Sequence, residues 1–111
     1  MSLPPDVRFY RRTDVFTETS VPKGLLKAHA TNPGVWGLIH VLEGRLAYRV
    51  TDPQRPATEV VLDPATPPGV VEPMVRHEVE PLGPVRFYVE FHRRIGPDPE
   101  GPRRLPRPRR L

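Results

Sequence analysis

Proline is the feature of this sequence that most restricts its fold. Seventeen of the 111 residues are proline, about three times the usual share of about 5%. Because proline lacks a backbone N–H and its ring clashes with the preceding helical turn, helix interiors exclude it. The longest stretch without proline is residues 34–52, and Glu43-Gly44 interrupts it. Helical bundles and folds with long crossover helices are therefore excluded.

Short strands separated by turns are predicted between residues 7 and 94. The clearest is 85–92, where valine or phenylalanine at every second position indicates a strand with one buried face. Residues 45–50 alternate similarly, and Gly44 is predicted to turn a hairpin between 35–43 and 45–50. The other predicted strands are 7–17, 24–30, 57–62, 69–72 and 76–80. About eight short strands without a helix predict an all-β sandwich or barrel.

The basic character of the chain is concentrated at its C-terminus. Residues 1–92 carry ten Lys/Arg and eleven Asp/Glu, whereas residues 93–111 carry seven arginines and two acids. Residues 95–111 contain five prolines and five arginines, a composition that cannot bury enough surface to offset the entropy of ordering. We predict a domain of residues 1–94 and a flexible, partly polyproline-II tail of residues 95–111. The slightly acidic domain does not predict a nucleic-acid partner.

Several functional classes lack their sequence signatures. The chain has no cysteine, which excludes disulfides, thiolate metal sites and cysteine nucleophiles and is compatible with the cytoplasm, the compartment we expect. No apolar run reaches the roughly 18 residues of a membrane span, and the N-terminus lacks the regions of a signal peptide. Neither a phosphate-binding glycine-rich loop nor a Ser–His–Asp set stands out. The sequence therefore assigns no catalytic residue.

Two histidines are candidate metal ligands. By alternation His77 shares a face with Val79, a pattern that fits either a core histidine or a ligand. His29 precedes the turn at residues 31–34 and is either an ordinary strand-end residue or a ligand. A small barrel can bring an early and a late strand together, and imidazoles flanked by carboxylates suit zinc, iron, nickel or manganese.

The other two histidines have different predicted positions. His92 alternates with its apolar neighbours and is expected to face outward with Glu90 as a surface pair. His40 lies in a strand that is apolar on both faces. It points outward if Ile39 and Val41 point inward, and otherwise it is a further candidate ligand.

Two stretches resemble the motifs of the cupin superfamily. Residues 36–44, which end in Val-Leu-Glu-Gly, resemble the first cupin strand and turn, and residues 67–77 resemble the second motif, where a proline-containing turn delivers a histidine. More specifically, residues 8–94 resemble the small TehB/YeaR-like domain, which occurs alone and at the N-terminus of some tellurite-resistance TehB methyltransferases. The residues that carry this resemblance are Pro22, Gly24-Leu25-Leu26, His29, Gly34, Trp36-Gly37, Val41-Leu42, Gly44, Glu72-Pro73, His77 and Val79-Glu80-Pro81-Leu82.

The resemblance implies a fold and a metal site. The implied fold is a double-stranded β-helix, the cupin jelly roll, with His29 and His77 in the barrel mouth as ligands of a divalent metal, zinc first and iron, nickel or manganese as alternatives. Glu72 is the candidate third ligand or hydrogen-bond acceptor. A complete cupin has His-x-His followed by glutamate, whereas Ala30 follows His29, and Gly37 stands where that glutamate would be. The methyltransferase part is missing, so methylation is not implied.

Three functions are consistent with these features. The first is a stand-alone metal-binding cupin that binds a small molecule or oxyanion in a stress or toxic-anion response. The second is a non-catalytic ligand-binding or sensory module without a functional metal site. The third is an interaction module that acts through the arginine-rich tail. The resemblance also implies a homodimer, because cupins often dimerise through a sheet face.

Overall fold

Six strands form one antiparallel sheet in the computed structural model, which describes residues 3–94. The strands are β1 (Val7–Arg12), β2 (Phe16–Thr17), β3 (Trp36–Val50), β4 (Thr58–Leu62), β5 (Gly69–Val71) and β6 (His77–Arg94). Lys23–Leu26 forms a short 3-10 helix, and no α-helix occurs within residues 3–94. The all-β prediction from the proline distribution is confirmed.

The two long strands β3 and β6 form the centre of the sheet. They pair along almost their full length, from Trp36 opposite His92 to Val50 opposite His77. β1 lies beside β6 and β4 lies beside β3, while β2 also pairs with β6 and β5 with β3. This arrangement brings the first and last strands of the domain side by side.

A bend in β3 shifts its pattern of alternation. Val41 and Leu46 are both buried although they are five positions apart, an odd number, so strict alternation must break between them. The pairing register shifts between Val41 and Glu43 and again between Gly44 and Leu46. At this bend Gly44 has φ +80°, and a Cβ added there would lie 2.1 Å from the carbonyl oxygen of Pro84. Only glycine fits this backbone conformation and this close approach.

The bend lets both halves of β3 face the same core. A Cβ placed on Gly69 of β5 would lie 3.6 Å from Ile39 Cδ1 and 3.3 Å from Tyr48 Cδ2. Nine residues of a straight strand span about 30 Å, so β3 must curve for Ile39 and Tyr48 to reach one glycine. Leu46 and Phe87 are fully buried within this curve. The buried residues that form the main core cluster are Val21, Ile39, Val41, Leu46, Tyr48, Leu62, Val71, Val79, Val85 and Phe87.

The predicted hairpin at Gly44 is wrong. The predicted strands 35–43 and 45–50 are joined, from Trp36 on, in the single strand β3, and 76–80 and 85–92 are likewise joined, from His77 on, in β6. A glycine with positive φ is typical of both a tight turn and a bulge, so the local sequence does not separate the two. The sheet therefore has six strands rather than about eight.

Two early strand predictions are also corrected. The predicted strand 7–17 is divided into β1 and β2. The predicted strand 24–30 is replaced by the 3-10 helix, which begins after Pro22 with a hydrogen bond from the Leu25 N–H to the Pro22 carbonyl (3.0 Å). Proline presets the backbone for such a turn and cannot donate to a sheet.

The predicted tail, residues 95–111, lies outside the described residues, so the domain boundary at residue 94 stays a prediction. Within residues 3–94 there is no helix of the length and apolarity that crossing a membrane requires.

Candidate functional site

His29 and His77 face each other across a short β-bridge. The His29 N–H donates to the His77 carbonyl (2.9 Å), and the His77 N–H donates to the His29 carbonyl (2.8 Å). The centroids of the two imidazole rings are 4.2 Å apart, with the ring planes tilted by 53°. The backbone therefore fixes the two side chains next to each other, as the sequence predicted for an early and a late segment.

The protonation of the His77 ring is set by its neighbours. Its Nδ1 lies 2.9 Å from the carbonyl oxygen of Val75, and because a carbonyl only accepts, Nδ1 carries the hydrogen. The other ring nitrogen, Nε2, then has the free lone pair. Tyr48 packs edge-on against this ring at 5.8 Å and is itself held by a hydrogen bond from its hydroxyl to the Val70 carbonyl (2.9 Å). Tyr48 and Val75 thus orient His77.

Both imidazoles are neutral at neutral pH. Burial lowers the pKa of His77, an effect that the hydrogen bond to Val75 partly opposes. Burial also lowers the pKa of His29, and the neighbouring His77 lowers it further. Neutral imidazoles have the lone pairs that a metal ion or a hydrogen-bond donor needs.

The two rings line a small, mostly apolar cavity of about 50 Å³, called the histidine cavity below. A water molecule occupies about 30 Å³ of liquid volume, so this space suits an ion or one or two waters and excludes an organic molecule. Gly37 also lines it. Gly37 stands where the resemblance expects the cupin glutamate. That position is therefore in the cavity wall but has no side chain.

Glu72 lies elsewhere. Its Oε1 is 2.6 Å from Nη1 of Arg55, and both residues line a separate cavity of about 380 Å³ on the other side of Tyr48. The structure brings His29 and His77 together and does not bring Glu72 to them. Among residues 3–94, no three histidine or acidic side chains are gathered so that they could hold a metal ion.

The remaining histidines lie on the opposite face of the sheet. Ile39 and Val41 are buried, so of the two alternatives that the sequence left open for His40, the structure has the outward one. Its Nε2 is 3.1 Å from Glu90 Oε1, and Nε2 of His92 is 3.3 Å from the same oxygen. The predicted pair of His92 and Glu90 is confirmed, with His40 as an additional member.

The environment of Glu90 differs from that of the inner histidines. Partial burial raises the pKa of its carboxyl group, but the contacts with His40 and His92 outweigh burial and hold the pKa below its usual value. We call the side of the sheet with Glu90 the outer face and the side with His77 the inner face.

Sequence reasoning did not find the residues that orient His77. Alternation predicts the strand at residues 45–50 that contains Tyr48. The contact of Tyr48 with His77, however, joins residues far apart in the sequence. The Val75 carbonyl is a backbone group with no side-chain signal. Neither contact could be found from a local pattern.

Comparisons with known proteins identify a family model and solved structures of similar fold. A family model described as TehB-like domain matches residues 11–89. Among solved structures, TehB from Haemophilus influenzae is 25% identical with a TM-score of 0.74, over 81% of this chain and 32% of TehB. A protein from E. coli (strain K12) is 20% identical with a TM-score of 0.74, over 88% of this chain and 99% of that protein, a likeness of fold.

The chain spans about a third of the length of the Haemophilus influenzae protein. No match was found among curated protein sequences.

Proposed function

This chain belongs to the TehB-like domain family, and we propose that it is a small binding domain whose His29–His77 pair holds a divalent transition metal, zinc first and iron, nickel or manganese as alternatives. The observation that carries the proposal is the pair itself. Two neutral imidazoles face each other at 4.2 Å, and the tautomer of one is fixed by the Val75 carbonyl. A carbonyl that accepts from Nδ1 is the usual support of a histidine ligand that binds through Nε2.

The proposed fold around this pair is the double-stranded β-helix. Three observations support it: the continuous pairing of β3 with β6, the bend at Gly44, and the approach of Ile39 and Tyr48 to Gly69. The bridge between His29 and His77, which joins an early and a late segment of the chain, is consistent with such a fold.

The imidazole nitrogens of His29 and His77 are donor atoms of the kind that transition metals bind. Imidazole nitrogen is a common ligand of zinc, iron and nickel, and the histidine cavity has room for an ion. Two protein ligands leave coordination positions for water or a small oxyanion. When bound, the metal would act as a Lewis acid. His29 and His77 would hold it, and the apolar cavity wall would limit access of bulk water.

Glu72 is left out of the proposed ligand pair because Arg55 holds its carboxylate. Its predicted ligation can be tested directly with E72Q. If Glu72 is a ligand, E72Q weakens metal binding as much as the loss of one histidine does. If it only pairs with Arg55, metal affinity stays within about twofold of the wild type.

Zinc titration of the untagged, full-length chain tests the metal site. At pH 7.5 we expect one zinc ion per chain by calorimetry. H29A and H77A should each weaken binding by tenfold or more, since loss of a group that merely supports a ligand already costs about 10–100-fold. H40A and H92A are the matched controls on the outer face and should leave zinc affinity unchanged. Absence of zinc binding by the wild type, or an equal loss in H40A, would contradict the proposal.

A second candidate function is a ligand-binding module that works without metal. The observation that favours it is the larger cavity at Tyr48, Arg55 and Glu72, which has about 380 Å³ and a mostly apolar lining, within the size range of small-molecule sites. A thermal-shift screen of small organic molecules on metal-free protein tests it. If a molecule stabilises the wild type but not V60W, in which the tryptophan fills the cavity, this function is supported. If molecules stabilise the protein only after zinc has been added, this function is contradicted.

Location, stress role and oligomeric state stay predictions. The cytoplasm is expected from the cysteine-free sequence, and the toxic-anion role and the homodimer from the resemblance alone.

A further inference from the structure

A second cavity, of about 220 Å³, lies beside the histidine cavity. We call it the vestibule, and it is lined mainly by Tyr10, Arg11, His29, Thr31, Asn32 and Phe91. Three of these residues, His29, Thr31 and Phe91, line the histidine cavity as well. The vestibule is therefore the space next to the histidine pair from which a ligand would reach it.

A bulge in β1 turns Arg11 toward this space. Phe9 pairs with His92 and Arg11 pairs with Phe91, so two residues of β1 are opposite one of β6 and the register shifts. Without the bulge Arg11 would share the outer face with Phe9, because side chains two apart lie on the same side of a strand. With the bulge, Arg11 faces inward over Phe91, with its guanidinium carbon 5.1 Å from the ring centroid.

The vestibule has positive charge and no acid in its lining. Arg93 lies over Tyr10 at 4.1 Å, and Arg8 is paired with Arg93 in the sheet. None of Arg8, Arg11 and Arg93 forms an ion pair with the acids of residues 3–94, whereas the adjacent Arg94 is paired with Asp6 at 2.9 Å. No aspartate or glutamate of residues 3–94 lines the vestibule or the histidine cavity. Clefts lined by one sign of charge concentrate ligands of the opposite charge.

We propose that the vestibule binds a small inorganic oxyanion, with the guanidinium of Arg11 as its anchor. A planar guanidinium donates two parallel hydrogen bonds to two oxygens of one anion, and its position over Phe91 limits the orientations that Arg11 adopts. At about 220 Å³ the space is below the roughly 300 Å³ at which pockets for drug-sized molecules begin. It is open to a tetrahedral or pyramidal oxyanion and too small for a nucleotide.

This inference deepens the proposed function, since it names the ligand class at the histidine pair, but anion binding to Arg11 does not require a metal. The two can therefore fail separately. Anion binding is measured on the metal-free chain in EDTA, and zinc binding is measured without added oxyanion. If anion binding is absent, the zinc measurement still tests the metal site, and if zinc binding is absent, the anion measurement still tests the vestibule.

The experiment is a titration of full-length, ¹⁵N-labelled, metal-free protein with inorganic phosphate and with sulfate, at constant ionic strength set by chloride. We expect saturable shifts at the amides of Arg11, Thr31 and Phe91. R11A should weaken binding by about tenfold or more, as expected for a hydrogen bond to a charged group. R11Q, which keeps most of the side chain, should show the same loss and decides the question if R11A does not fold.

Arg12 provides the matched control. It is adjacent to Arg11 but lies on the outer face, over Tyr88 at 4.4 Å, so R12A removes the same charge without touching the vestibule. Anion affinity within twofold of the wild type in R12A supports the proposal. Equal losses in R11A and R12A, no binding by the wild type, or shifts confined to the arginines of residues 103–110 would overturn it.

Discussion

Two histidine pairs lie on opposite faces of the same sheet and differ in their surroundings. His29 and His77 are on the inner face, where burial lowers the pKa of both rings and no acidic side chain lines their cavity. His40 and His92 are on the outer face, and both contact the carboxylate of Glu90. The inner pair keeps its lone pairs available, whereas the outer pair is engaged with an acid.

The difference shows that the position of one carboxylate decides what a histidine pair can do. A glutamate on the inner face would complete a metal ligand set, but Gly37 stands at the position the resemblance gives it and Glu72 is bound to Arg55. On the outer face Glu90 is present, and the two imidazoles surround it. Among residues 3–94, the inner pair is therefore free of acidic neighbours, as the proposed site needs, whereas the outer pair shares the carboxylate of Glu90.

The largest expected difference between the faces is in stability. Phe87 is fully buried on the inner face and packs edge-on against Phe16 at 5.7 Å, so F87A should cost about 4 kcal/mol of unfolding free energy. Its neighbour Tyr88 is on the outer face, stacked on His40 at 4.9 Å, and Y88A should cost about 1 kcal/mol. Urea unfolding measures both. Equal costs would mean that the outer face is packed like the core.

The comparison also depends on the bend in β3, which a second pair of variants tests. G44A should cost about 3 kcal/mol, because alanine is strained at φ +80° and its Cβ would meet the Pro84 carbonyl. Gly34 is the control, since it has φ +75° but no atom within 4 Å of an added Cβ. G34A should therefore cost only about 1–2 kcal/mol. The same urea measurement applies, and a G44A cost no larger than that of G34A would contradict the close approach.

The part of the fold that local sequence patterns determine could be predicted. Alternation correctly assigned the buried face of 85–92, because a period of two is a local property of a strand. It left the direction of His40 open, because both faces of that strand are apolar. The continuity of β3 through Gly44 was missed. Whether a glycine with positive φ turns a chain or bends it depends on the partner strand, here the carbonyl of Pro84.

The site was predictable in part for the same reason. His29 and His77 were identified as a pair from the resemblance and from the meeting of early and late strands, and the structure brings them together. The pairing of Glu72 with Arg55 and the direction of Arg11 were not predicted. The first joins residues 17 positions apart across a loop, and the second depends on a bulge that only the register of β1 with β6 reveals.

A smaller effect is expected from pH. The inner histidines have folded-state pKa values below their ordinary 6.5, so the unfolded chain binds more protons than the folded one in that range. Their contribution to stability is therefore complete above about pH 6.5 and falls as the pH decreases below it. Glu90, with a pKa below its ordinary 4.5, contributes above about pH 4.5 and loses its contribution as the pH falls further.

Urea unfolding between pH 4 and 8 separates the two faces. The wild type should lose stability gradually as the pH falls from 6.5 to 5, and the double variant H29A/H77A should lose less over the same interval because it lacks the two buried imidazoles. If the stability of the wild type rises as the pH falls through that interval, His29 and His77 are not buried as neutral imidazoles.

The smallest effect expected is that of removing the outer carboxylate charge. E90Q keeps the size of the side chain but cancels its charge. Because Glu90 is partly exposed and such pairs are screened by water and salt, the cost at pH 6 should be about 0.5 kcal/mol and should decrease further in 1 M NaCl. Since the outer contact is separate from the inner site, zinc affinity at His29 and His77 should not change. A cost above about 2 kcal/mol, or a change in zinc affinity, would mean that the two faces are coupled through β6. The outer pair would then support the inner one rather than act independently of it.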